Sequence, residues 1–153
     1  MTNHMHRETG TRIPSTFYFA YGSNMNLEQM ARRCPAARPI GSARLAGWTF
    51  RINDRGVATV VASPDDEVIG GLWEISERCL RSLDRYEGVR SGLYRRELLP
   101  VSLHDDEERI AIVYVAASQR SGLPRAGYLE GILAGAADFA LPDHYCARLA
   151  ACA

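Results

Sequence analysis

The sequence lacks long apolar runs, an excess of charge of either sign, and the closely spaced cysteines of a metal site. No apolar stretch approaches the roughly 20 residues that a helix needs to cross a bilayer, so we expect no membrane partner. Eighteen basic residues balance eighteen acidic ones, and no segment concentrates the basic residues, so we expect no nucleic-acid partner. The first ten residues lack the apolar centre of a signal peptide, which predicts a cytoplasmic protein.

The four cysteines form no Cys-x-x-Cys motif, and none lies near a histidine at metal-ligand spacing. We therefore expect no metal. Disulfides are rare in chains without an export signal, so all four cysteines are expected to be reduced thiols. They are Cys34, Cys79, Cys146 and Cys152.

The composition, 46% hydrophobic and 24% charged, is that of an ordinary globular domain. We expect a flexible N-terminal tail over residues 1–15 and a single domain over residues 16–153. Helical and strand patterns mix without regular alternation, which favours an α+β class over a doubly wound sheet. About six strands with glycine-rich bends suit a small mixed β-barrel, closed or partly closed, flanked by helices. Two of these strands are expected at Val57–Ala62 and Glu67–Ile75, separated by a turn at Ser63–Asp66.

The first candidate site is a short junction between a strand and a helix. The run FYFAYGSNMN, residues 17–26, has aromatic strand chemistry up to Tyr21 and stops at Gly-Ser-Asn, before the helical pattern that begins at Leu27. Backbone N–H groups are free at such a junction, and the helix dipole adds partial positive charge, so an anion can bind there. The alternative is an ordinary turn, with Asn26 as N-cap and Gln29 completing a capping box.

The second candidate site is a glutamate at the end of a helix. Ser76 is a predicted N-cap and Gly88 a predicted C-terminal breaker, so Glu87 lies at the negative end of the helix dipole. Burial beside Tyr86 and Tyr94 would raise its pKa towards neutrality, which suits a general acid and base. The alternative is a solvated glutamate at a frayed helix end.

The order and spacing of four segments resemble those of the gamma-glutamyl cyclotransferases: YFAYGSNM, GVATVVASPDDEVIGGLWEI, LDRYEGVRSGLYRR and GLPRAGYLEGILAGA. The resemblance extends from Phe17 to Tyr145. It implies a gamma-glutamylcyclotransferase-like fold and an enzyme that needs no cofactor. It also implies the reaction, in which a γ-glutamyl amino acid or amine is converted by intramolecular aminolysis to 5-oxoproline and the free amino acid or amine.

The same resemblance implies roles for both candidate sites. The backbone amides of Gly22, Ser23 and Asn24 would hold the α-carboxylate of the small-molecule substrate. Tyr21 would help to shape the same pocket. Glu87 would take a proton from the α-amine, and the freed amine would attack its own γ-carbonyl. Glu87 would then pass the proton to the departing amine.

Four tyrosines receive weaker assignments. Tyr94 and Tyr128 match family tyrosines near the substrate, so the resemblance implies that they donate hydrogen bonds to it or orient it. Packing within the strand or helix is the alternative role for both residues. Tyr86 and Tyr114 are expected to be packing residues only.

Three questions stay open at this stage. Arg95 and Arg96, which follow Tyr94, either face the pocket mouth or alternate in and out along a strand. The protein could instead be a relative specialised for glutathione, or a non-catalytic module that binds γ-glutamyl metabolites. A homodimer face could form from Leu72, Trp73 and the exposed parts of the last helices.

Overall fold

The computed structural model describes residues 15–153, which contain five strands, four α-helices and one short 3-10 helix. In chain order these are β1 (Thr16–Ala20), the 3-10 helix (Ser23–Met25), α1 (Leu27–Arg33), β2 (Arg38–Ile52), β3 (Ala58–Ile75), α2 (Glu77–Glu87), β4 (Tyr94–Leu103), β5 (Glu108–Ala116), α3 (Tyr128–Asp138) and α4 (Asp143–Ala150). The predicted tail, residues 1–15, lies outside the described residues except for Ser15, whose hydroxyl donates to Glu74. Among residues 15–153 no helix has the length and apolar character needed to span a bilayer.

The five strands close into a barrel in the order β1-β3-β2-β4-β5. Strand β1 pairs antiparallel with β3 on one side and parallel with β5 on the other, which closes the ring. The barrel is therefore mixed, and the predicted α+β fold with a small barrel flanked by helices is confirmed. The chain leaves the end of β1 directly into the 3-10 helix, so the first candidate site lies at one rim of the barrel.

The predicted turn at Ser63–Asp66 is wrong, because β3 continues through these residues without reversing. Strands β2 and β3 pair on both sides of this point, where residues 63–66 stand opposite the single residue Gly47. The turn-forming residues are thus accommodated as an irregularity in one long antiparallel ribbon. The barrel consequently has five strands in the described chain rather than about six.

One hydrophobic core fills the barrel and the space under the helices. Phe19, Leu72 and Ile132 are fully buried in it, and Trp73 is almost so. The expectation that Leu72 and Trp73 form a dimer face is therefore wrong. Trp73 also donates its indole N–H to the backbone carbonyl of Asn24 at 3.1 Å, which ties the core to the 3-10 helix.

Cys34 and Cys79 form a disulfide, with Cα atoms 5.1 Å apart. The expectation of reduced thiols is wrong for this pair, whereas Cys146 and Cys152 are free. The two bridged cysteines are 45 residues apart in sequence and meet only where the end of α1 packs on the start of α2. That contact depends on the tertiary fold, and no local sequence pattern predicts it.

Candidate active site

The junction after β1 folds as a 3-10 helix, Ser23–Met25, followed at once by α1. The N–H groups of Met25 and Asn26 donate to carbonyls three residues earlier, at 3.1 and 3.0 Å. In the described structure the N–H groups of residues 22–24 donate no hydrogen bond within the protein, as the first groups of a helix do not. The free N–H groups that the sequence predicted are present.

Helix α1 holds the side chain of Asn24 in place. Asn26 Oδ1 accepts from the N–H of Gln29 at 2.9 Å, so the predicted N-cap is confirmed. The second half of the predicted capping box is wrong, because Gln29 Nε2 donates to Asn24 Oδ1 at 3.0 Å instead. Arg33 Nη1, one turn further along α1, donates to the same oxygen at 2.8 Å. The Nδ2 of Asn24 in turn donates to the hydroxyl of Tyr18 at 2.9 Å.

Helix α3 supports the 3-10 helix from another side. Gly135 packs directly on the chain at Met25 and Asn26, and a Cβ placed on Gly135 would lie 2.5 Å from the Asn26 nitrogen. Asp138, at the end of α3, accepts a hydrogen bond from the N–H of Leu27 at 3.0 Å. A side chain at position 135 would therefore displace the turn that carries the free N–H groups.

Helix α2 ends at Glu87 with well-defined geometry. Gly88 adopts a left-handed conformation, φ 67°, which residues with a Cβ rarely adopt. The N–H groups of Gly88 and Val89 return to the carbonyls of Arg85 and Asp84, at 3.2 and 3.0 Å, as in a Schellman motif. The predicted breaker is thus confirmed, and the frayed-end alternative for Glu87 is wrong.

The environment of Glu87 favours its neutral form. Burial raises the pKa of Glu87 from its ordinary value of 4.5 to about 7, against the opposing effect of the Arg33 charge. No hydrogen bond from a described residue contributes to this balance. A carboxyl group that titrates near neutrality can both accept and return a proton at physiological pH.

A cavity of about 260 Å³ joins the two candidate sites. This is slightly below the roughly 300–1,000 Å³ of sites for drug-sized ligands, so a compact metabolite fits. The part of the chain that the structure describes contains no cluster of three or more His, Cys, Asp or Glu residues able to hold a metal ion. All seven residues predicted for the site line the cavity: Tyr21, Gly22, Ser23, Asn24, Glu87, Tyr94 and Tyr128.

Tyr94 and Tyr128 both form hydrogen bonds with the backbone of Ala58, one as a donor and the other as an acceptor. Tyr94 donates its hydroxyl proton to the carbonyl of Ala58 at 2.6 Å. Tyr128 accepts from the N–H of Ala58 at 3.0 Å, so its own proton remains available. Burial raises the pKa of both hydroxyls, so both stay protonated. Of the two, Tyr128 can donate to a ligand, whereas Tyr94 offers only its lone pairs.

The other tyrosines considered from the sequence lie either in the wall of the cavity or at its rim. Tyr21 donates to the carbonyl of Tyr114 at 2.5 Å, so it shapes the wall without a proton to offer. Tyr114 is buried and donates to Asp84 at 2.7 Å, which agrees with the predicted packing role. Tyr86 is 58% exposed, so its predicted packing role is wrong. Its ring lies 4.3 Å from the guanidinium of Arg33 at the cavity rim.

Three arginines that the sequence analysis did not single out also line the cavity: Arg33, Arg55 and Arg125. Arg33 follows Gln29 by four residues, so helical spacing alone places both on one face of α1 and could have drawn attention to it. Arg125 Nε donates to the carbonyl of Arg55 at 2.9 Å. Within residues 15–153 neither Arg55 nor Arg125 forms an ion pair with an acidic side chain.

The two arginines considered from the sequence lie elsewhere. Arg95 pairs with Glu97 at 2.7 Å, and Arg96 pairs with Asp84 at 3.5 Å. Both flank a separate surface depression on β4 and β5 instead of the cavity that contains Glu87. The suggestion that they face the pocket mouth is therefore wrong, and the arginines that line the cavity are Arg33 at the end of α1 and the two loop residues Arg55 and Arg125.

Comparison with known proteins agrees with this fold. The profile of the AIG2-like family matches residues 67–149. A gamma-glutamylcyclotransferase from Homo sapiens is 35% identical, over 94% of this chain and 81% of that protein. One from Bos taurus is 35% identical, over 88% and 77%. The solved structure of a gamma-glutamyl cyclotransferase superimposes with a TM-score of 0.85 at 32% identity, over 90% of this chain and 88% of that one. The chain therefore belongs to the gamma-glutamylcyclotransferase family, within the AIG2-like proteins.

Proposed function

We propose that this enzyme converts a γ-glutamyl amino acid or amine to 5-oxoproline and the free amino acid or amine, without a cofactor. Membership of the family supports this reaction, and one structural observation is the main evidence for it in this chain. Glu87, with a pKa of about 7, shares a cavity with the unbonded N–H groups of residues 22–24. A base of that strength beside an anion cradle matches a substrate whose α-carboxylate must be held while its α-ammonium loses a proton.

The proposed reaction follows from this arrangement. The α-carboxylate lies on the N–H groups of residues 22–24, and ionised Glu87 takes a proton from the α-ammonium. The freed amine attacks the γ-carbonyl carbon of the same molecule, an intramolecular step that mainly requires correct orientation. The new C–N bond closes the five-membered lactam, and the original γ-amide C–N bond breaks. Two protons pass in all from the attacking nitrogen to the leaving nitrogen, so Glu87 is unchanged at the end.

The cavity wall supplies the remaining interactions. We assign to Tyr128 a hydrogen bond to the γ-carbonyl oxygen, where negative charge develops, because its proton is not used within the protein. Tyr94 accepts from the α-ammonium, because its own proton is bound to the carbonyl of Ala58. Gly22 lets the chain pass close to Ala58, since a Cβ there would lie 3.2 Å from the Cβ of Ala58, a tight contact.

The charge of the cavity favours an amino acid as the leaving group over an amine. Arg55 and Arg125 line the cavity, are exposed to solvent and have no acidic partner in the described chain. A carboxylate on the leaving group can pair with either guanidinium, which binds planar carboxylates in bidentate geometry. An uncharged leaving amine offers no such interaction.

The test is release of 5-oxoproline from a panel of γ-glutamyl amino acids, γ-glutamyl amines and glutathione. Glu87→Gln removes the base while keeping the shape of the side chain, and we expect turnover to fall by at least about 10²-fold, the low end for loss of a general base. Glu77→Gln is the matched control, since Glu77 is an exposed carboxylate at the other end of α2. It should retain full turnover.

The panel also separates the alternatives. Release from amino acid derivatives alone supports the role of Arg55 and Arg125, and release confined to glutathione identifies the specialised relative. If the wild type binds γ-glutamyl compounds but releases no 5-oxoproline, and Glu87→Gln binds equally well, the protein is a binding module and the proposed reaction is wrong.

A further inference from the structure

Tyr18 is a cavity tyrosine to which neither the sequence nor the proposed reaction has given a role. It lies on β1, is 4% exposed and lines the cavity that contains Glu87. We propose that the Tyr18 hydroxyl donates a hydrogen bond to the reacting γ-carbonyl group, and that the Asn24 carboxamide positions that proton. The proposal rests on the proposed function and extends it to two further side chains.

The orientation of the Asn24 carboxamide is fixed by its neighbours. Arg33 can only donate hydrogen bonds, so the atom of Asn24 that it contacts at 2.8 Å must be the oxygen. Gln29 donates to the same oxygen at 3.0 Å. The amide nitrogen must therefore face Tyr18, which lies 2.9 Å away. Stacking of Arg33 over Tyr86, at 4.3 Å, holds the guanidinium in this position.

This orientation determines what Tyr18 can do. The Tyr18 oxygen accepts from Asn24 Nδ2, so its proton points away from Asn24. No residue among 15–153 accepts a hydrogen bond from this hydroxyl, although Glu87, Arg33 and Tyr128 are close enough to affect its charge state. Burial raises the pKa of Tyr18, so the proton is retained at any physiological pH.

Tyr18 thereby resembles Tyr128 and differs from the other buried tyrosines of the cavity. Tyr128 likewise accepts from the protein and keeps a free proton. Tyr21, Tyr94 and Tyr114 each donate their proton to a protein oxygen. Apart from Tyr86, which is exposed at the rim, the cavity therefore contains two free phenolic donors among the described residues. Two donors are what a carbonyl oxygen can accept as it becomes an oxyanion.

The chemical step needs no proton transfer from Tyr18. Attack of the α-amine forms the new C–N bond and moves the carbonyl π electrons onto oxygen. The Tyr18 O–H hydrogen bond shortens as this charge grows, and it lengthens again when the carbonyl re-forms and the leaving C–N bond breaks. Because the interaction strengthens in the transition state, its loss should lower kcat and leave KM largely unchanged.

The experiment measures kcat and KM for the best substrate of the wild-type panel, together with thermal unfolding. Tyr18→Phe should lower kcat by about 10²-fold, as loss of one oxyanion donor does, with KM changed less than about threefold. Tyr114→Phe is the matched control, because its proton is already bound to Asp84. It should keep kcat within about twofold, within the variation of a substitution that removes no transition-state contact.

Asn24→Asp tests the positioning role. The aspartate keeps the bonds from Gln29 and Arg33 but offers Tyr18 an acceptor in place of a donor, which turns the Tyr18 proton away from the cavity. It should lower kcat as much as Tyr18→Phe does, measured at about pH 9, where Glu87 is ionised. In the double variant the two losses should not multiply, because both remove the same hydrogen bond.

Each outcome decides a specific point. If the wild type turns over and Tyr18→Phe raises KM at unchanged kcat, Tyr18 binds the ground state and the inference is wrong while the proposed function stands. If the losses of the two single variants multiply, Asn24 does not act through Tyr18. If the wild type shows no turnover, the proposed function fails and the inference fails with it. Asn24→Asp retains every ring contact of Tyr18, so it decides the question even if Tyr18→Phe does not fold.

Discussion

Replacing Glu87 by Gln should make the protein more stable at neutral pH, although the same change should lower turnover by at least about 10²-fold. Burial shifts the pKa of Glu87 from 4.5 to about 7 on folding. At about 1.4 kcal/mol per pH unit, a shift of this size lowers the free energy of unfolding at neutral pH by about 3 kcal/mol. Because part of the side chain contacts solvent, we expect about 2–3 kcal/mol in practice.

The direction of this change in stability follows from the number of protons that the folded and unfolded states bind. Between about pH 4.5 and 7 the folded protein keeps a proton on Glu87 that the unfolded chain has released. Stability contributed by this group therefore falls as pH rises through that window and stays low above it. Glutamine has no proton to lose, so Glu87→Gln should match the wild type near pH 4 and exceed it by the full amount at pH 8.

The assay is the free energy of unfolding in urea, measured from about pH 4 to 8 for both proteins, since all other titrating groups cancel in the difference. Glu77→Gln, at the exposed start of the same helix, should show no comparable gain. A difference that does not change with pH would mean that folding leaves the pKa of Glu87 unchanged, and a variant less stable than the wild type at pH 8 would mean that the carboxylate is stabilised in the folded state. Either result would show that burial does not raise the pKa of Glu87.

Two further substitutions probe the supports of the site. Arg33→Gln removes the positive charge that lowers the pKa of Glu87, so the acid limb of the kcat/KM–pH profile should move up by about one pH unit. Arg32→Gln removes an exposed neighbouring charge and should leave the acid limb unchanged. Gly135→Ala should lower the free energy of unfolding by about 1–3 kcal/mol in urea melts, because its Cβ would collide with the 3-10 helix. Gly131→Ala, on the same helix with open space around it, should instead gain about 0.5–1 kcal/mol, and equal effects at both positions would contradict the packing argument.

The sequence predicted those parts of the site that depend on local structure. Asn26 and Gly88 mark helix ends through their own side chain or backbone conformation, so both were identified correctly. The resemblance to the family placed Tyr94 and Tyr128 at the cavity but not the difference between them. That difference arises because both contact Ala58, which is 36 residues from Tyr94 and 70 from Tyr128.

The errors have the same physical origin. Ser63–Asp66 has the composition of a turn, but a long partner strand holds the chain extended on either side of it. Gln29 has the spacing of a capping box, but the buried Asn24 offers a better acceptor once the 3-10 helix packs beside α1. In each case a contact distant in sequence overrides a local preference.

The role of Ala58 cannot be found by changing its side chain. Its N–H and its carbonyl hold Tyr128 and Tyr94, so this contribution is made entirely by main-chain atoms. What matters is the alignment of β3 against the ends of the two tyrosine-bearing elements. The N–H and C=O of one strand residue point to the same side, and those of the next residue point to the opposite side. Inserting or deleting one residue in the turn before Ala58 would therefore turn both groups away from the two hydroxyls. The hydrogen bonds that hold both tyrosines therefore depend on the register of β3 at Ala58, and substitutions of the Ala58 side chain do not reveal this dependence.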